Sequence, residues 1–320
     1  MIKHVVLVKL KPEASPDQID RMIAGYNSMK ESIPDLLSWS MGPNLRRDGD
    51  YDYAMVAVCE DAESLQRYVD HPVHRQVAQE VGRPIIESRE IADFEFDPEE
   101  EMWEPQVQEV WTELSDTVKP AHTALVVIDV QNDFCAPGGA RMKGDLSFVE
   151  AMREPLKVMV EAARAAGLPV IYTQTSNDNE HDNGPILARR ARVGLANAKY
   201  TVPGTPGWDV CDFVAPADGD VRIKKWHHSG FTNPRMDATL GRLGIKTLLF
   251  TGAATNGCVE ATVRDAFARG YYNVVLEDCV AAYDADLQRY SLKNMATHFA
   301  LVSTSREVQR TWAEQGVLAG

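Results

Sequence analysis

The stretch Thr247 to Arg269, which reads TLLFTGAATNGCVEATVRDAFAR, decides how the second half of this chain folds. It opens with a short apolar run typical of a buried strand, and Gly252 is predicted to end that run. Small and turn-forming residues follow. From Cys258 onward, apolar residues recur at helical spacing on one face: Val259, Val263, Ala266 and Phe267. Gly270 ends the predicted helix. Cys258 is therefore expected at a strand-to-helix turn, in the first turn of the helix.

This position has consequences for the chemistry of the Cys258 thiol. Backbone N–H groups at the start of a helix stabilise an anion, so we expect them to lower the pKa of the thiol. The same N–H groups can hold the oxyanion of a tetrahedral intermediate. Most free cysteines are small buried apolar residues. Here the turn and the partners described below favour a nucleophile instead.

Length and composition indicate a globular protein with two domains. The chain has 320 residues, of which 44% are hydrophobic and 25% charged, and its net charge is −14. We find no basic patch with interleaved aromatic residues, so a nucleic-acid partner is not expected. The five cysteines are scattered without a CxxC pair, which predicts reduced thiols in a cytoplasmic protein. The apolar run at the N-terminus is too short for a signal peptide or a membrane span, so we expect no membrane partner.

The elements predicted for residues 1–97 follow the order β-α-β-β-α-β. This order predicts a ferredoxin-like α+β domain with both helices on one face of the sheet. The segments IKHVVLVKLK, YDYAMVAVCEDAESLQRYVDHPVH and IADFEF resemble the stress-responsive A/B barrel (Dabb) family. In that family the domain pairs sheet to sheet. The resemblance therefore implies a homo-oligomer, a dimer or a higher even number, held by Dabb–Dabb pairing.

Three histidines of this segment match positions at which that family often has histidine: His4, His71 and His74. They could form a small acid–base pocket. No carboxylate or thiol partner is evident at a useful spacing, so a strand histidine and a helix-ending His-Pro are the favoured interpretation. We therefore expect residues 1–97 to serve as an assembly module. Residues 98–119 are acidic and form a predicted linker, in which Trp103 and Trp111 are expected to pack on a domain surface.

Residues 120–320 alternate apolar strands with helices, which predicts a doubly wound parallel α/β sheet. Ligands of such sheets bind beyond the carboxyl ends of the strands. Asp129, Lys225 and Cys258 all stand at those predicted ends. An Asp that closes an apolar strand is costly unless it faces a pocket. These three groups suit attack on an amide through a thioester.

Each of the three groups has an expected role in that reaction. Asp129 would take the thiol proton and return it to a departing amine. Lys225 would hold the Asp–Cys pair in a charged state. The backbone N–H groups of Ala254 and Cys258 would form the oxyanion hole. Water would then hydrolyse the thioester.

This second segment resembles the isochorismatase-like cysteine hydrolases over about residues 121 to 304. The matching blocks are ALVVIDVQNDFCAPGGA, GTPGWDV, DVRIKKWHHSGF, LFTGAATNGCVEATVRDAFARGY and NVVLEDC. The resemblance implies an Asp–Lys–Cys triad at Asp129, Lys225 and Cys258, and it selects Lys225 over Lys224. It also implies a cis peptide bond between Ala253 and Ala254.

Within that family, KWHHSGF, GAATNGCVEATVRDAF and VVLEDC look closest to ureidoacrylate amidohydrolases and to hydrolases of N-carbamoyl compounds and biuret. The resemblance implies a small-molecule amide or ureido substrate. Nicotinamidases of the family carry a metal, but here the corresponding loop holds a single histidine, His181, so we expect no metal and no cofactor. Two alternatives stay open: a hydrolase of another small amide, such as a maleamate-like compound, and a catalytically inert ligand-binding scaffold.

Several side chains near the predicted strand ends are candidates for the substrate pocket. Gln174 and Asn177 could bind a urea or amide carbonyl. Four aromatic candidates accompany them: Phe134, Trp226, His227 and Phe231. Arg189, Arg190 and Arg192 could meet a substrate carboxylate, although a solvated helix face is the favoured interpretation for them.

Overall fold

The computed structural model describes residues 1–45, 49–97, 109–141, 146–177, 183–196 and 198–318. The chain divides into two compact units, Met1–Met102 and Trp103–Gly320. Within the ranges just given, no helix combines the length and the apolar character needed to cross a bilayer.

The first unit is an antiparallel four-stranded sheet with its helices on one face, in the strand order β2-β3-β1-β4. Its strands are β1 Ile2–Leu10, β2 Ser38–Pro43, β3 Tyr53–Cys59 and β4 Ile86–Glu95. Its helices are α1 Pro16–Ser32, α2 Ala62–Asp70 and α3 Pro72–Val77, with a π turn at Ala78–Gly82. A capping box between Ser15 and Gln18 starts α1. The predicted ferredoxin-like arrangement is confirmed.

The three histidines of this unit have local partners. His71 caps α3 by accepting a hydrogen bond from the Val73 N–H at 3.3 Å, and His74 Nδ1 lies 2.9 Å from the carbonyl oxygen of Val69. His4 Nδ1 lies 2.6 Å from Asp93 Oδ1. The expectation that no carboxylate partner is present was wrong for His4, because cross-strand pairing brings residue 93 beside residue 4.

The second unit is a six-stranded parallel sheet in the order β10-β9-β8-β5-β6-β7, which confirms the predicted doubly wound fold. Its strands are β5 Thr123–Ile128, β6 Val170–Thr175, β7 Val221–Lys225, β8 Thr247–Ala253, β9 Tyr272–Ala281 and β10 Leu301–Ser303. The order reverses at the neighbouring strands β5 and β8, where a crevice opens at the carboxyl ends.

Helices cover both faces of this sheet. They are α4 Leu114–Thr117, α5 Asn132–Cys135, α6 Ser147–Ala165, α7 Gly184–Arg192, α8 Arg235–Arg242, α9 Glu260–Ala268, α10 Ala285–His298 and α11 Ser305–Glu314. Two apolar clusters of buried side chains fill the space between the sheet and the helices on either face.

The turn that follows β8 differs from the predicted one. The strand continues past Gly252 to Ala253. Gly252 adopts φ +107, and a Cβ there would collide with the backbone of Ile128, so glycine is required for β5 and β8 to approach this closely. A π turn, Thr255–Val259, runs directly into α9, so Cys258 lies in the π-helical turn that opens the helix. Phe267, predicted on the buried face, is 51% exposed.

The C-terminal part of the predicted linker packs into the second unit. Val118 is fully buried, and its carbonyl accepts a hydrogen bond from Trp312 Nε1 at 2.7 Å. Trp111 stacks on His122 and Tyr272, at ring-centroid distances of 4.4 and 4.9 Å. Trp103 lies outside the described residues.

Candidate active site

Asp129 directly follows β5 and is fully buried. Its backbone adopts φ 51, in the left-handed region, so the carboxylate turns toward the neighbouring strand β6. Oδ1 accepts a hydrogen bond from Thr173 Oγ1 at 2.9 Å, and Oδ2 accepts one from Thr175 Oγ1 at 2.7 Å. These two threonines hold the carboxylate in one orientation.

Lys225 is the last residue of β7 and is also fully buried. Its Nζ lies 2.7 Å from Asp129 Oδ2 and donates to Thr175 Oγ1 at 2.7 Å and to the carbonyl oxygen of His227 at 3.0 Å. Burial acts to lower the pKa of this ammonium, but the nearby Asp129 carboxylate and Cys258 outweigh it, so the pKa is raised. Lys225 therefore stays charged in the interior.

Cys258 completes the contact between the three groups. Its Sγ lies 3.4 Å from Lys225 Nζ on one side and 3.5 Å from His228 Nδ1 on another. Burial raises the pKa of the Cys258 thiol to about 12; Lys225 opposes that rise and the Asp129 carboxylate adds to it. The prediction of a lowered thiol pKa was wrong, because burial outweighs the turn and the ammonium. The resting thiol is protonated.

The turn that carries the thiol begins with the cis peptide bond Ala253–Ala254, at the position that the resemblance implied. The carbonyl oxygen of Ala254 accepts hydrogen bonds from the N–H groups of Gly257 and Val259, at 2.9 and 3.2 Å. Ala254 and Cys258, the predicted oxyanion-hole residues, both line the cavity described next. Their role in holding an oxyanion stays a prediction.

A cavity of about 680 Å³ opens in front of Cys258. Four of the predicted pocket residues line it: Phe134, Asn177, Trp226 and His227. Gln174 and Phe231, both described by the structure, lie outside this lining. Gln174 is buried and ties Trp208 to Arg222 through its side-chain amide. Phe231 packs in the core with its ring 4.6 Å from the guanidinium of Arg269.

Two of the three candidate arginines of α7 line this cavity. Arg189 is exposed on the cavity wall, and Arg190 is buried and donates to Asn177 Oδ1. Arg192 is exposed and lies outside the lining. The favoured interpretation of a solvated face therefore holds for Arg192, whereas Arg189 and Arg190 belong to the cavity wall.

Sequence reasoning missed several residues of the site. Thr173 and Thr175 alternate with Gln174 along β6, and a buried strand shows no difference in polarity between its faces that would have selected them. His228 stands next to His227 in WHHSGF. Loop residues have no regular periodicity, so the sequence does not indicate the direction in which their side chains point. Further missed residues bring charge and aromatic rings to the cavity wall: Arg141, Tyr200, Glu260, Arg264 and Tyr283.

Among the residues that the structure describes, no group of three or more His, Cys, Asp or Glu is placed to hold a metal ion. His181, the single histidine of the loop that was considered for a metal, lies outside those residues.

Comparison with known proteins places both units. The family model for the Isochorismatase domain matches residues 123–307, and that for the Stress responsive A/B Barrel Domain matches residues 2–96. The chain is 36% identical over 212 residues to a ureidoacrylate amidohydrolase RutB of Caulobacter vibrioides, covering 62% of this chain and 94% of that one. A RutB of Methylobacterium radiotolerans is 38% identical over 199 residues, covering 58% of this chain and 77% of that one.

Solved structures agree with this assignment. A cysteine hydrolase from Pseudomonas syringae pv. phaseolicola superimposes with a TM-score of 0.56 at 31% identity, covering 62% of this chain and 95% of that one. An isochorismatase-like hydrolase from Alkaliphilus metalliredigens gives a TM-score of 0.52 at 26% identity, covering 60% and 99%. The chain therefore belongs to the isochorismatase family through its second unit, and it carries a stress-responsive A/B barrel domain in its first.

Proposed function

We propose that this protein is a cysteine amidohydrolase that cleaves a C–N bond of a small linear amide or ureido compound. The observation that carries the proposal is that Lys225 Nζ contacts both Asp129 Oδ2 and Cys258 Sγ, and that Cys258 lines a cavity. A carboxylate, an ammonium and a thiol in contact supply a base, a charge partner and a nucleophile. The names of the relatives, ureidoacrylate amidohydrolases, make ureidoacrylate the first substrate to test.

In the first half of the proposed reaction, Cys258 Sγ attacks the carbonyl carbon while its proton passes to Asp129. A thiol pKa of about 12 means that the thiolate forms only as the attack proceeds, with Lys225 beside the developing charge. The proton on Asp129 then moves to the leaving nitrogen, and an amine or ammonia departs. A thioester remains on Cys258, and water hydrolyses it.

The proposed oxyanion site is formed by the backbone N–H groups of Ala254 and Cys258. Ala254 directly precedes the π turn and Cys258 lies within it, and both residues line the cavity. Donors that are already in position stabilise the charge of a tetrahedral intermediate without reorganisation.

The test is release of ammonia or amine by the purified full chain against a panel of small amides. The panel contains ureidoacrylate, biuret, N-carbamoyl amino acids, maleamate, nicotinamide and simple aliphatic amides. We expect one ureido or linear amide to be cleaved, and Cys258→Ala to lower kcat/KM by roughly 10⁴-fold or more. Cys211→Ala is the matched control, because Cys211 is buried in the same unit and lies outside the described cavity lining.

Two results would contradict the proposal. Full activity in Cys258→Ala would exclude a thioester intermediate on Cys258. Absence of activity against every compound of the panel would favour the inert ligand-binding scaffold. A chelator arm tests the expected independence from metal: a loss of activity that zinc or iron restores would overturn that expectation.

We also propose that the first unit assembles the chain into an even-numbered homo-oligomer. One face of its sheet is covered by helices, whereas the other carries partly exposed apolar side chains on neighbouring strands: Val5, Leu7, Val56, Val58 and Phe94. A sheet face of this kind suits a second copy of the same domain. Light scattering on the full chain should show a dimer or a higher even number, and Phe94→Glu should weaken it. A monomeric wild type would contradict the proposal.

A further inference from the structure

His228 is a titratable group at the reacting atom that the proposed reaction does not yet use. Its Nδ1 lies 3.5 Å from Cys258 Sγ, and its side chain is exposed on the cavity wall. It follows β7 by three residues, so it is carried by the same segment that positions Lys225. His228 therefore approaches the sulfur from the cavity side.

Asp129, the base of the first half of the reaction, is fully buried and lies outside the described lining of the cavity. Its side chain has no exposed surface, and Oδ1 is held by Thr173 while Oδ2 is shared by Thr175 and Lys225. Water that hydrolyses a thioester must enter through the cavity. Within the described lining of that cavity, His228 is the imidazole that contacts Sγ.

The surroundings of His228 keep its imidazole neutral. Partial desolvation on the cavity wall lowers its pKa, and the charges of Lys225 and Arg189 lower it further. Asp129 acts to raise the pKa of His228, whereas His227 lowers it further. Cys258, the remaining titratable contact, is a protonated thiol at neutral pH. A neutral imidazole has a lone pair with which to accept a proton.

We propose that His228 is the general base for the hydrolytic water, acting after Asp129 has served the first half of the reaction. The proposal rests on the thioester mechanism given above. The water oxygen bonds to the thioester carbon, and one water proton passes to Nδ1 of His228. The C–S bond then breaks, and the proton moves from the imidazolium to Sγ. The products are the free acid, or the carbamic acid of a ureido substrate, and the restored thiol.

The experiment compares full-chain wild type with His228→Gln on the best substrate of the panel. After a rapid acid quench, intact-protein mass spectrometry measures the fraction of chain that carries an acyl adduct. Removing a general base slows its step by about 100-fold or more. We therefore expect the adduct to accumulate in His228→Gln while kcat falls and KM falls with it. His298→Gln is the matched control, because His298 is an exposed histidine at the end of α10 and should leave both readouts unchanged.

A second arm uses hydroxylamine, a nucleophile that attacks a thioester without needing a base. Hydroxylamine should discharge the adduct of His228→Gln as a hydroxamate and restore much of the lost turnover. This arm also shows that the variant is folded, since the adduct and its discharge both require a working Cys258 site. In wild type the deacylation rate should fall as the pH drops below the pKa of His228. This fall should be absent in His228→Gln.

The outcomes separate this inference from the proposed function. Unchanged turnover in His228→Gln would overturn the inference, and so would lower turnover without an adduct, because His228 would then act before the thioester. An adduct that hydroxylamine does not discharge faster than water would overturn it as well. If wild type shows no turnover that depends on Cys258, the proposed function itself fails and this inference fails with it.

Discussion

Replacing Lys225 with methionine tests how the buried ion pair contributes to the stability of the second unit. Methionine keeps the length of the side chain and removes the charge. Lys225 Nζ contacts Asp129 Oδ2, Thr175 Oγ1 and the carbonyl oxygen of His227, at 2.7, 2.7 and 3.0 Å. The substitution therefore leaves a fully buried carboxylate without its cation.

The size of the effect follows from what remains around that carboxylate. Removing one partner of a buried pair costs about 3–5 kcal/mol of unfolding free energy. The hydroxyls of Thr173 and Thr175 still donate to Asp129, so the lower end of that range, about 3 kcal/mol, is expected. For a unit of this size each kcal/mol shifts the unfolding midpoint by roughly 2–4 °C, which gives a fall of roughly 6–12 °C.

The assay is thermal unfolding followed by tryptophan fluorescence. Of the tryptophans that the structure describes, four lie in the second unit and Trp39 in the first, so the signal reports mainly on the unit under test. Arg289→Met is the matched control, because the Arg289–Asp286 pair spans 3.0 Å with both side chains more than half exposed. An exposed pair of this kind contributes less than about 1 kcal/mol.

A double variant separates the lost attraction from the unpaired charge. Asp129→Asn combined with Lys225→Met removes both charges, and it should recover a large part of the midpoint lost in the single variant. The reasoning is refuted if Lys225→Met shifts the midpoint no more than Arg289→Met does. It is also refuted if the double variant is less stable than Lys225→Met alone.

Three further predictions concern the site. Thr175→Val removes the hydroxyl that bridges Asp129 and Lys225. We therefore expect a loss of about 1–3 kcal/mol of unfolding free energy and a clear fall in kcat. Unchanged values for both would contradict the assigned bridge. Alkylation of Cys258 by iodoacetamide should be slow at pH 7, because a thiol pKa of about 12 leaves little thiolate. The alkylation rate should rise about tenfold per pH unit toward pH 10. A rate that is independent of pH would show a preformed thiolate. Arg189→Gln should raise KM by roughly tenfold for substrates that carry a carboxylate and leave neutral amides unaffected, with Arg192→Gln, outside the cavity, as the control.

Much of the fold was predictable, because each element carries its own local signal. The alternating strand at residues 2–10, the capping signal at Ser15 and the apolar runs of β5 and β8 determine their structures within a few residues. The end of β8 was not predictable in this way. Gly252 looks like a stop, but it is there because the backbone of β5 approaches too closely for a side chain.

The candidate site was predictable for a geometric reason. Parallel strands bring their carboxyl ends to one edge of the sheet, so residues 129, 225 and 258 meet although they are far apart along the chain. Which neighbours surround them was not predictable to the same degree. Gln174 and Phe231 have the right chemistry, but the structure turns them away from the cavity, and it brings Thr173, Thr175 and His228 to the site instead.

The sequence by itself determined the two domain types, the alternation of strands and helices in a doubly wound sheet and the three groups at its edge, because periodicity and strand-end position are local properties. The tertiary structure alone decided the protonation of Cys258. Helix-start geometry predicts a lowered thiol pKa, whereas burial between β5, β7 and the π turn raises it to about 12. Desolvation depends on everything that surrounds a group, and no stretch of sequence contains that information.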